Sequence, residues 1–302
     1  MQHIVSISGG KDSTATYLMA LEQLGGDFLP VFADTGNEHP LTLEYISILA
    51  QRTGGPEVLF IRADFTERLK KRRESIVTKY PAERIAAAVE AIDLALETDA
   101  PFLSLCVWKG MFPSNIKRFC TSELKIIPIH DQVYTPYLDA GETVISWQGI
   151  RADESHSRSK AKEREEIDEG VIAYRPLLKW TVQDVFAMHR RHNIEPNPLY
   201  KMGMSRVGCM PCFMARKSEI SAIARRCPEH VGKIKFWERT VRQASKSGYS
   251  TFFPCTKVPG YDAMRGNVKN VMQWATGINP CQCMLPVEWY APTCQSEYGL
   301  CG

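Results

Sequence analysis

Short apolar runs alternate with longer amphipathic segments through the first half of the chain. Runs rich in Ile, Val and Phe predict buried strands at residues 3–7, 28–33, 58–61 and 143–147. The segments between them predict helices at residues 14–24, 41–49, 65–76 and 81–97. Such alternation predicts an α/β fold, in which a doubly wound, mostly parallel sheet carries helices on both faces.

The second half changes character. Residues 159–170 are highly charged and nearly free of apolar side chains, which predicts a mobile lid or a solvated loop. Thr181 is the expected N-cap of a helix at 185–192. Basic amphipathic helices are expected at 216–227 and 228–245, before a tail rich in Cys, Pro and Gly. We therefore divide the chain into an α/β domain at 1–215 and a C-terminal region at 216–302.

The string Ser8-Gly9-Gly10-Lys11-Asp12-Ser13 directly follows the first predicted strand. Two glycines between a strand and a helix let backbone N–H groups close on a phosphate, with the helix N-terminus behind them. Lys11 adds a positive charge, although the Gly-x4-Gly-Lys spacing of a Walker A loop is absent. The string predicts a phosphate loop; the alternative is a purely structural Gly-Gly turn.

Asp34 and Thr35 end the second predicted strand. Parallel strands place their carboxyl ends at one edge of the sheet, so Asp34 should lie beside the loop. Its carboxylate is suited to a ribose hydroxyl or to Mg²⁺, and the alternative is a helix cap.

The strand at 143–147 leads to a polar segment that contains Gly149, Arg151, Asp153, Glu154 and Arg158. Arginines that flank carboxylates just beyond a strand suit phosphate and ribose groups. A surface loop with ion pairs is the alternative.

Charge is unevenly distributed along the chain. The total is +3, but from Gly203 onward there are 13 Lys or Arg against 6 Asp or Glu. A basic face of this kind can follow a polyanion, or it can be a solvated helical surface. No run approaches 18 apolar residues and no secretory signal is visible, so we expect a cytoplasmic protein without membrane contact.

Ten cysteines in a cytoplasmic chain indicate metal or redox chemistry, because that compartment keeps thiols reduced. Cys209 and Cys212 form a Cys-x-x-Cys turn that suits one metal or cluster; a redox dithiol or a structural role is the alternative. Cys120 lies between Arg118 and Lys125, and such cations favour a thiolate. A small buried side chain is the alternative for Cys120.

These motifs, in this order, resemble the phosphoadenosine-phosphosulfate (PAPS) reductase superfamily of N-type ATP pyrophosphatases, known for their PP-loop. The resemblance covers about residues 1–219. It rests on residues 8–13, 32–36, 118–121 with Lys125, 149–158, Trp180, 197–200 and 208–212. The intact lysine loop resembles enzymes that hydrolyse ATP to AMP and pyrophosphate, which include tRNA thiolases and the sulfur-activating ATP pyrophosphatases of DNA phosphorothioation systems. Residues 118–121 and 109–114 look closest to the latter group.

The resemblance implies that ATP and Mg²⁺ are bound and that an acceptor is adenylated. Lys11 would neutralise charge on the phosphates, and Asp12 and Asp34 would position magnesium. Arg151 is the further expected catalytic side chain. The other nucleotide-binding residues expected are Ser8, Gly9, Gly10, Ser13, Thr35, Gly149, Asp153, Glu154 and Arg158.

Iron-sulfur members of the superfamily bind a [4Fe–4S] cluster through a Cys-Cys pair and a distant Cys-x-x-Cys. Cys120, Cys209 and Cys212 match three of these ligands, whereas Phe119 stands where the family has a cysteine. We expect Cys255 as the fourth ligand; the alternative is a cluster with one open iron.

The expected partners are a nucleotide substrate, a nucleic acid, DNA rather than tRNA, and a sulfur-donor protein. Two alternatives remain open. One is a thiol-dependent sulfonucleotide reductase that forms sulfite, with Cys301 as its nucleophile. The other is a nucleotide-sensing, nucleic-acid-binding module without turnover. The roles of Cys281, Cys283 and Cys294 stay open, a separate zinc site among them.

Overall fold

The fold is built on a six-stranded sheet with the strand order β3-β2-β1-β4-β6-β5. This computed structural model describes residues 1–254 and 266–277; Cys255, Cys281, Cys283, Cys294 and Cys301 lie outside the described residues. The strands are β1 (Gln2–Ile7), β2 (Leu29–Ala33), β3 (Leu59–Ile61), β4 (Val144–Trp147), β5 (Arg164–Asp168) and β6 (Val171–Tyr174). All pairs are parallel except β5 with β6, which confirms the predicted mostly parallel α/β fold.

Helices cover the sheet and extend beyond it. They are α1 (Lys11–Leu24), α2 (Pro40–Ser47), α3 (Leu49–Thr53), α4 (Thr66–Lys79), α5 (Ala82–Glu97), α6 (Pro101–Lys109), α7 (Phe119–Thr121), α8 (Ile127–Ile129), α9 (Thr135–Asp139), α10 (Val182–Arg191), α11 (Lys217–Arg226), α12 (Pro228–Ala244) and α13 (Val268–Thr276). Single π-type turns join α7, α8 and α9 into one irregular helical stretch, in which Pro128 and Pro136 remove backbone donors.

The register of the central strands decides where the polar segments meet. Ile7 of β1 lies opposite Phe32 of β2, and Val5 lies opposite Trp147 of β4. The segments that follow β1, β2 and β4 therefore emerge at the same edge of the sheet, as the sequence predicted.

Alternating side chains of β1 enter two different cores. Val5 and Ile7 pack with α1 and α10, whereas Ile4 packs on the opposite face with residues of the α8–α9 stretch. A third core lies among helices α4, α5 and α6, and it includes side chains of α11, α12 and α13. The C-terminal helices thus share a core with the α/β part, and a boundary at residue 215 stays a prediction.

The expectation of a mobile lid or solvated loop at 159–170 is wrong for residues 164–168. They form β5, a charged edge strand that returns as an antiparallel hairpin into β6 through Gly170, whose φ is +72°. Charged side chains are typical of edge strands, because they discourage pairing with another chain. The guanidinium of Arg175 also anchors the hairpin, at 2.8 Å from the Glu165 carboxylate.

Thr181 is the N-cap of α10, as predicted. Its hydroxyl accepts a hydrogen bond from the Asp184 N–H, and the Asp184 carboxylate accepts one from the Thr181 N–H. Within the described residues, none of the helices has the length and apolar character needed to cross a bilayer.

Candidate active site

The backbone of the loop at residues 8–13 requires its glycine at position 9. Gly9 has φ +71°, and a Cβ there would lie 2.7 Å from Cγ2 of Thr42. The Ser8 N–H and hydroxyl both donate to the Ser13 hydroxyl at 3.1 Å, and that hydroxyl donates to the Gly10 carbonyl at 3.0 Å. The two serines therefore close the loop at the N-terminus of α1.

Three side chains from the 189–200 region hold the same loop. His189 Nε2 donates to the Lys11 carbonyl at 2.9 Å, and Asn197 donates to the Gly9 carbonyl at 3.2 Å. The Lys11 N–H donates to the Tyr200 hydroxyl at 2.9 Å. Burial lowers the pKa of His189, which favours the neutral ring, and the proton must then be on Nε2 to make this bond. Asn197 and Tyr200 belong to a matched motif, whereas nothing in the sequence singled out His189.

A chain of charges begins at the loop. Lys11 Nζ lies 2.9 Å from one Asp12 oxygen, and Arg151 Nε lies 2.6 Å from the other. Arg151 also reaches Asp153, at 2.6 Å. The side chains of Lys11, Asp12 and Arg151 are 7%, 15% and 6% exposed, so these ion pairs are largely shielded from water. Asp12 thus has a cation on each of its oxygens.

Gly149 allows the segment after β4 to lie against this loop. A Cβ at Gly149 would be 2.8 Å from Oγ1 of Thr16 and 3.0 Å from the Asp12 carbonyl carbon. Further along the segment, Glu154 accepts from the Arg151 N–H at 3.3 Å and forms an ion pair with Arg158. The structure thus brings Arg151 and Asp153 to the loop through Asp12 and places Glu154 with Arg158 in a more exposed pair.

Asp34 lies one strand away from the loop. The last pair of the β1–β2 register is Ile7 with Phe32, so Asp34 and Gly9 each lie two residues beyond it. One Asp34 oxygen accepts from the Gly36 N–H at 2.9 Å, and the other lies 3.1 Å from Arg62 Nε. Asp34 therefore caps a turn, whereas the N-cap of α2 is His39.

The segment after β2 connects the nucleotide loop with the cysteine loop. Thr35 donates through its N–H and its hydroxyl to the buried Glu38 carboxylate, at 3.1 and 2.8 Å. Cys209 Sγ lies 3.6 Å from both Glu38 Oε1 and Thr35 Oγ1. The Met210 N–H donates to the Asn37 carbonyl at 2.7 Å, beside a backbone bridge between Glu38 and Cys209. Nothing in the sequence singled out Glu38 as a residue of this site.

Three of the predicted cluster ligands surround one cation. Lys125 interacts electrostatically with Cys209, Cys120 and Cys212, and proximity to Cys209 is the largest cause of its raised pKa. Burial raises the pKa of the Cys209 thiol to about 11, although Lys125 acts in the opposite direction. Cys106 is a buried thiol in the core against which Cys120 and Cys212 pack, and it interacts electrostatically with Cys120, whereas Cys227 is buried in a different core.

The spacing of these thiols bears on which metal group suits them. Among the residues that the structure describes, the sulfurs of Cys120, Cys209 and Cys212 are not all within 4.8 Å of one another. One tetrahedral zinc ion needs sulfurs about 3.8 Å apart, given a Zn–S distance of about 2.3 Å. Thiols that converge more loosely suit a cluster, in which each sulfur binds a different iron.

A second polar cluster lies behind the cysteine loop. The rings of His39 and His230 are stacked, with centroids 5.0 Å apart, and His39 Nε2 lies 3.9 Å from Cys227 Sγ. His39 Nδ1 accepts from the Leu41 N–H, so its proton is on Nε2, the atom that a metal ion would need. His230 Nδ1 donates to the Met210 carbonyl at 3.0 Å. This cluster attaches the start of α12 to the cysteine loop.

These features define an α/β protein with a glycine-lysine phosphate loop after its first strand and a group of thiols beside it. The phosphoadenosine phosphosulfate reductase domain model matches residues 2–215. The chain therefore belongs to the PAPS reductase family, which is a family of enzymes.

Similar proteins include an uncharacterised 37.8 kDa protein of Escherichia phage 186, which is 45% identical over 289 residues, 90% of this chain and 85% of the phage protein. An adenosine 5′-phosphosulfate reductase of Burkholderia cepacia is 33% identical over 113 residues. That match covers 37% of this chain and 42% of the reductase.

A solved structure of a PAPS reductase from Candida auris, a phosphate complex, also matches. Its TM-score is 0.43 at 16% identity, over 69% of this chain and 81% of that one.

Proposed function

We propose that this protein is an ATP pyrophosphatase that adenylates an acceptor. The observation that carries the proposal is the intact loop: Gly9 in its left-handed conformation, and Lys11 held at the start of α1 by His189 and Tyr200. A loop of this form suits a pyrophosphate group, because amides and a cation converge where negative charge develops.

In the proposed reaction, an acceptor oxygen attacks the α-phosphorus of ATP. The bond from that phosphorus to the oxygen shared with the β-phosphorus breaks, and pyrophosphate leaves with the bonding electrons. Lys11 and the loop amides stabilise the charge on the departing group. Arg151 holds Asp12, and Asp12 and Asp34 are the side chains that would hold Mg²⁺.

We further propose that the acceptor is a nucleic acid, DNA rather than RNA, and that sulfur replaces the adenylated oxygen. A sulfide nucleophile, supplied by a sulfur-donor protein, forms the new bond while AMP leaves. Cys120, Cys209 and Cys212 are the described residues that would hold a [4Fe–4S] cluster, with Cys255 as the proposed fourth ligand. If Cys255 were not a ligand, one iron would stay open and would supply a position to which sulfide can bind.

The test is pyrophosphate release from ATP by anaerobically purified protein. Lys11→Ala should reduce the rate about 10²-fold or more, the scale of losing one transition-state charge. Lys179→Ala removes an exposed charge outside the site and is the matched control. Equal rates for both variants would remove Lys11 from the mechanism, and ATP binding without turnover would favour the nucleotide-sensing alternative.

The name of the Burkholderia relative favours one second candidate, a sulfonucleotide reductase. Such an enzyme would form sulfite from an activated sulfate and would use Cys301 as its nucleophile. Sulfite formation that disappears in Cys301→Ser, without pyrophosphate release from ATP, would decide for this candidate.

A further inference from the structure

The described part of the C-terminal region presents an almost entirely positive surface. Its exposed basic side chains are Arg216, Lys217, Arg225, Lys235, Arg239, Arg242, Lys246 and Lys269. The exposed acidic side chain in residues 216–254 and 266–277 is Glu229.

The other two carboxylates of these segments point inward. Glu219 is 4% exposed and accepts from the Arg216 N–H at 2.8 Å and from the Ser205 hydroxyl at 2.8 Å. Glu238 is 4% exposed and accepts from the Phe252 N–H at 2.8 Å and the Val268 N–H at 3.0 Å. Both carboxylates accept from backbone donors and neither is exposed on this surface, although Glu238 interacts electrostatically with Arg242 from within the core.

Three of the basic residues follow one face of α12. Lys235, Arg239 and Arg242 are spaced by four and three positions, which is the spacing of one helical face. The three span roughly 10 Å along the helix direction, at about 1.5 Å per residue. Lys246 lies in the turn that follows α12. Among residues 1–254 and 266–277, no carboxylate lies within 4.0 Å of the charged groups of Lys235, Arg239 and Arg242. We call these three residues the α12 stripe.

The start of α12 lies close to the cysteine loop. His230, in the first turn of α12, donates to the carbonyl of Met210, between the two cysteines. One turn later, the half-buried Lys233 interacts electrostatically with Glu38 and Cys209. Lys235, the first residue of the stripe, is two positions beyond Lys233, so the stripe lies on the solvent-exposed side of α12, opposite the buried face that carries His230.

We infer that the α12 stripe binds the phosphodiester backbone of the nucleic acid that serves as the acceptor. A row of solvated cations without acidic partners matches a row of phosphates, and binding is driven by the release of counterions. This inference rests on the proposed function for the identity of the acceptor. The half-buried ring of Phe236, 6.0 Å from the Arg239 guanidinium, lies beside the same face.

The test compares two triple variants of the full-length protein on a short duplex DNA by fluorescence anisotropy. Lys235→Ala/Arg239→Ala/Arg242→Ala removes three charges of the stripe. Arg52→Ala/Lys179→Ala/Arg190→Ala removes three equally exposed charges from other elements. Between about 50 and 200 mM salt, the stripe variant should reduce the slope of log K against log salt by about 3, and the control should keep the wild-type slope.

Equal slopes for the two variants, or tighter binding to anionic phospholipid vesicles than to any nucleic acid, would overturn the inference. The same anisotropy measurement on single-stranded DNA and on RNA of matched length shows which nucleic acid supplies the phosphates that bind. Pyrophosphate release at saturating DNA separates this failure from failure of the proposed function: the stripe variant should reach the wild-type rate there, and Lys11→Ala should still bind DNA.

Discussion

The phenol oxygen of Tyr200 accepts a hydrogen bond from the backbone N–H of Lys11 at 2.9 Å, across 189 positions of sequence. The Tyr200 side chain is 1% exposed and lies against the first turn of α1. The first amides of a helix lack partners within it, and here one of them is satisfied by a side chain from a distant motif. Tyr200 therefore fixes the loop in the conformation that presents Lys11.

Tyr200→Phe should weaken ATP binding. Removal of the hydroxyl leaves the buried Lys11 N–H without its partner, which costs about 1–3 kcal/mol of unfolding free energy. A less ordered loop should raise the dissociation constant for ATP severalfold, measured by isothermal titration calorimetry. Tyr134→Phe is the matched control. The buried Tyr134 hydroxyl donates to the Ser146 hydroxyl at 2.8 Å, and this bond does not involve the loop. A comparable loss of ATP affinity in both variants would contradict a specific role for Tyr200.

Much of the fold followed from the sequence, because the strands of a parallel sheet are continuous apolar runs that stand out between polar segments. The same pattern failed for β5. Its segment from Arg164 to Asp168 has a single apolar side chain, and only pairing with β6 makes it a strand. Such an edge strand is stabilised by pairing with its neighbouring strand, and the local composition does not reveal that pairing.

The candidate site was predictable where chemistry is concentrated in short motifs. Lys11, Arg151 and Cys209 belong to such motifs. His189 and Glu38 do not, because each acts through one contact made by the tertiary fold: His189 with the Lys11 carbonyl, and Glu38 with Thr35 and Cys209. A lone histidine in a helix and a lone glutamate near a helix start carry no local sign of those contacts.

Cysteine substitutions should separate cluster ligands from buried thiols. Cys120→Ser, Cys209→Ser and Cys212→Ser should each lose most of the iron and acid-labile sulfide after anaerobic reconstitution, together with the visible absorption of the cluster. Thiolates bind iron far better than hydroxyls do, which is the physical reason for the loss.

Cys227→Ser is the control, because this buried thiol lies beside His39, in a different core from the ligand group. It should keep the wild-type iron content per folded chain. Iron loss in the control equal to that in the ligand variants would indicate a folding defect in place of ligation. Cys255→Ser, measured in the same way, decides the fourth ligand.

Gly149→Ala should disturb the loop through α1. The added Cβ would lie 2.8 Å from Thr16 Oγ1 and 3.0 Å from the backbone of Asp12, so the segment must move away, at a cost of about 1–3 kcal/mol. Urea unfolding should show this loss, and ATP affinity should fall with it.

Gly232→Ala is the control variant in α12, where nothing lies within 4 Å of the new methyl group. That change should stabilise the protein by about 0.5–1 kcal/mol, and destabilisation of similar size in both variants would contradict the packing argument.

The stacked histidines should make stability depend on pH below neutrality. Burial, with Lys233 nearby, lowers the pKa of His230 to about 4, and burial also lowers the pKa of His39 despite the opposing charge of Glu229. In the unfolded chain both histidines take up a proton near pH 6.5, whereas in the folded chain they stay neutral to lower pH. The free energy of unfolding is therefore fully retained above pH 6.5 and falls as the pH is lowered toward 4. His230 alone should contribute a slope approaching about 1.4 kcal/mol per pH unit in that window.

Urea unfolding measures this effect. The difference in unfolding free energy between pH 7 and pH 5 should be smaller in His230→Gln than in the wild type. The exposed His156→Gln should retain the wild-type difference, and an unchanged difference in His230→Gln would show that His230 does not set the pH dependence.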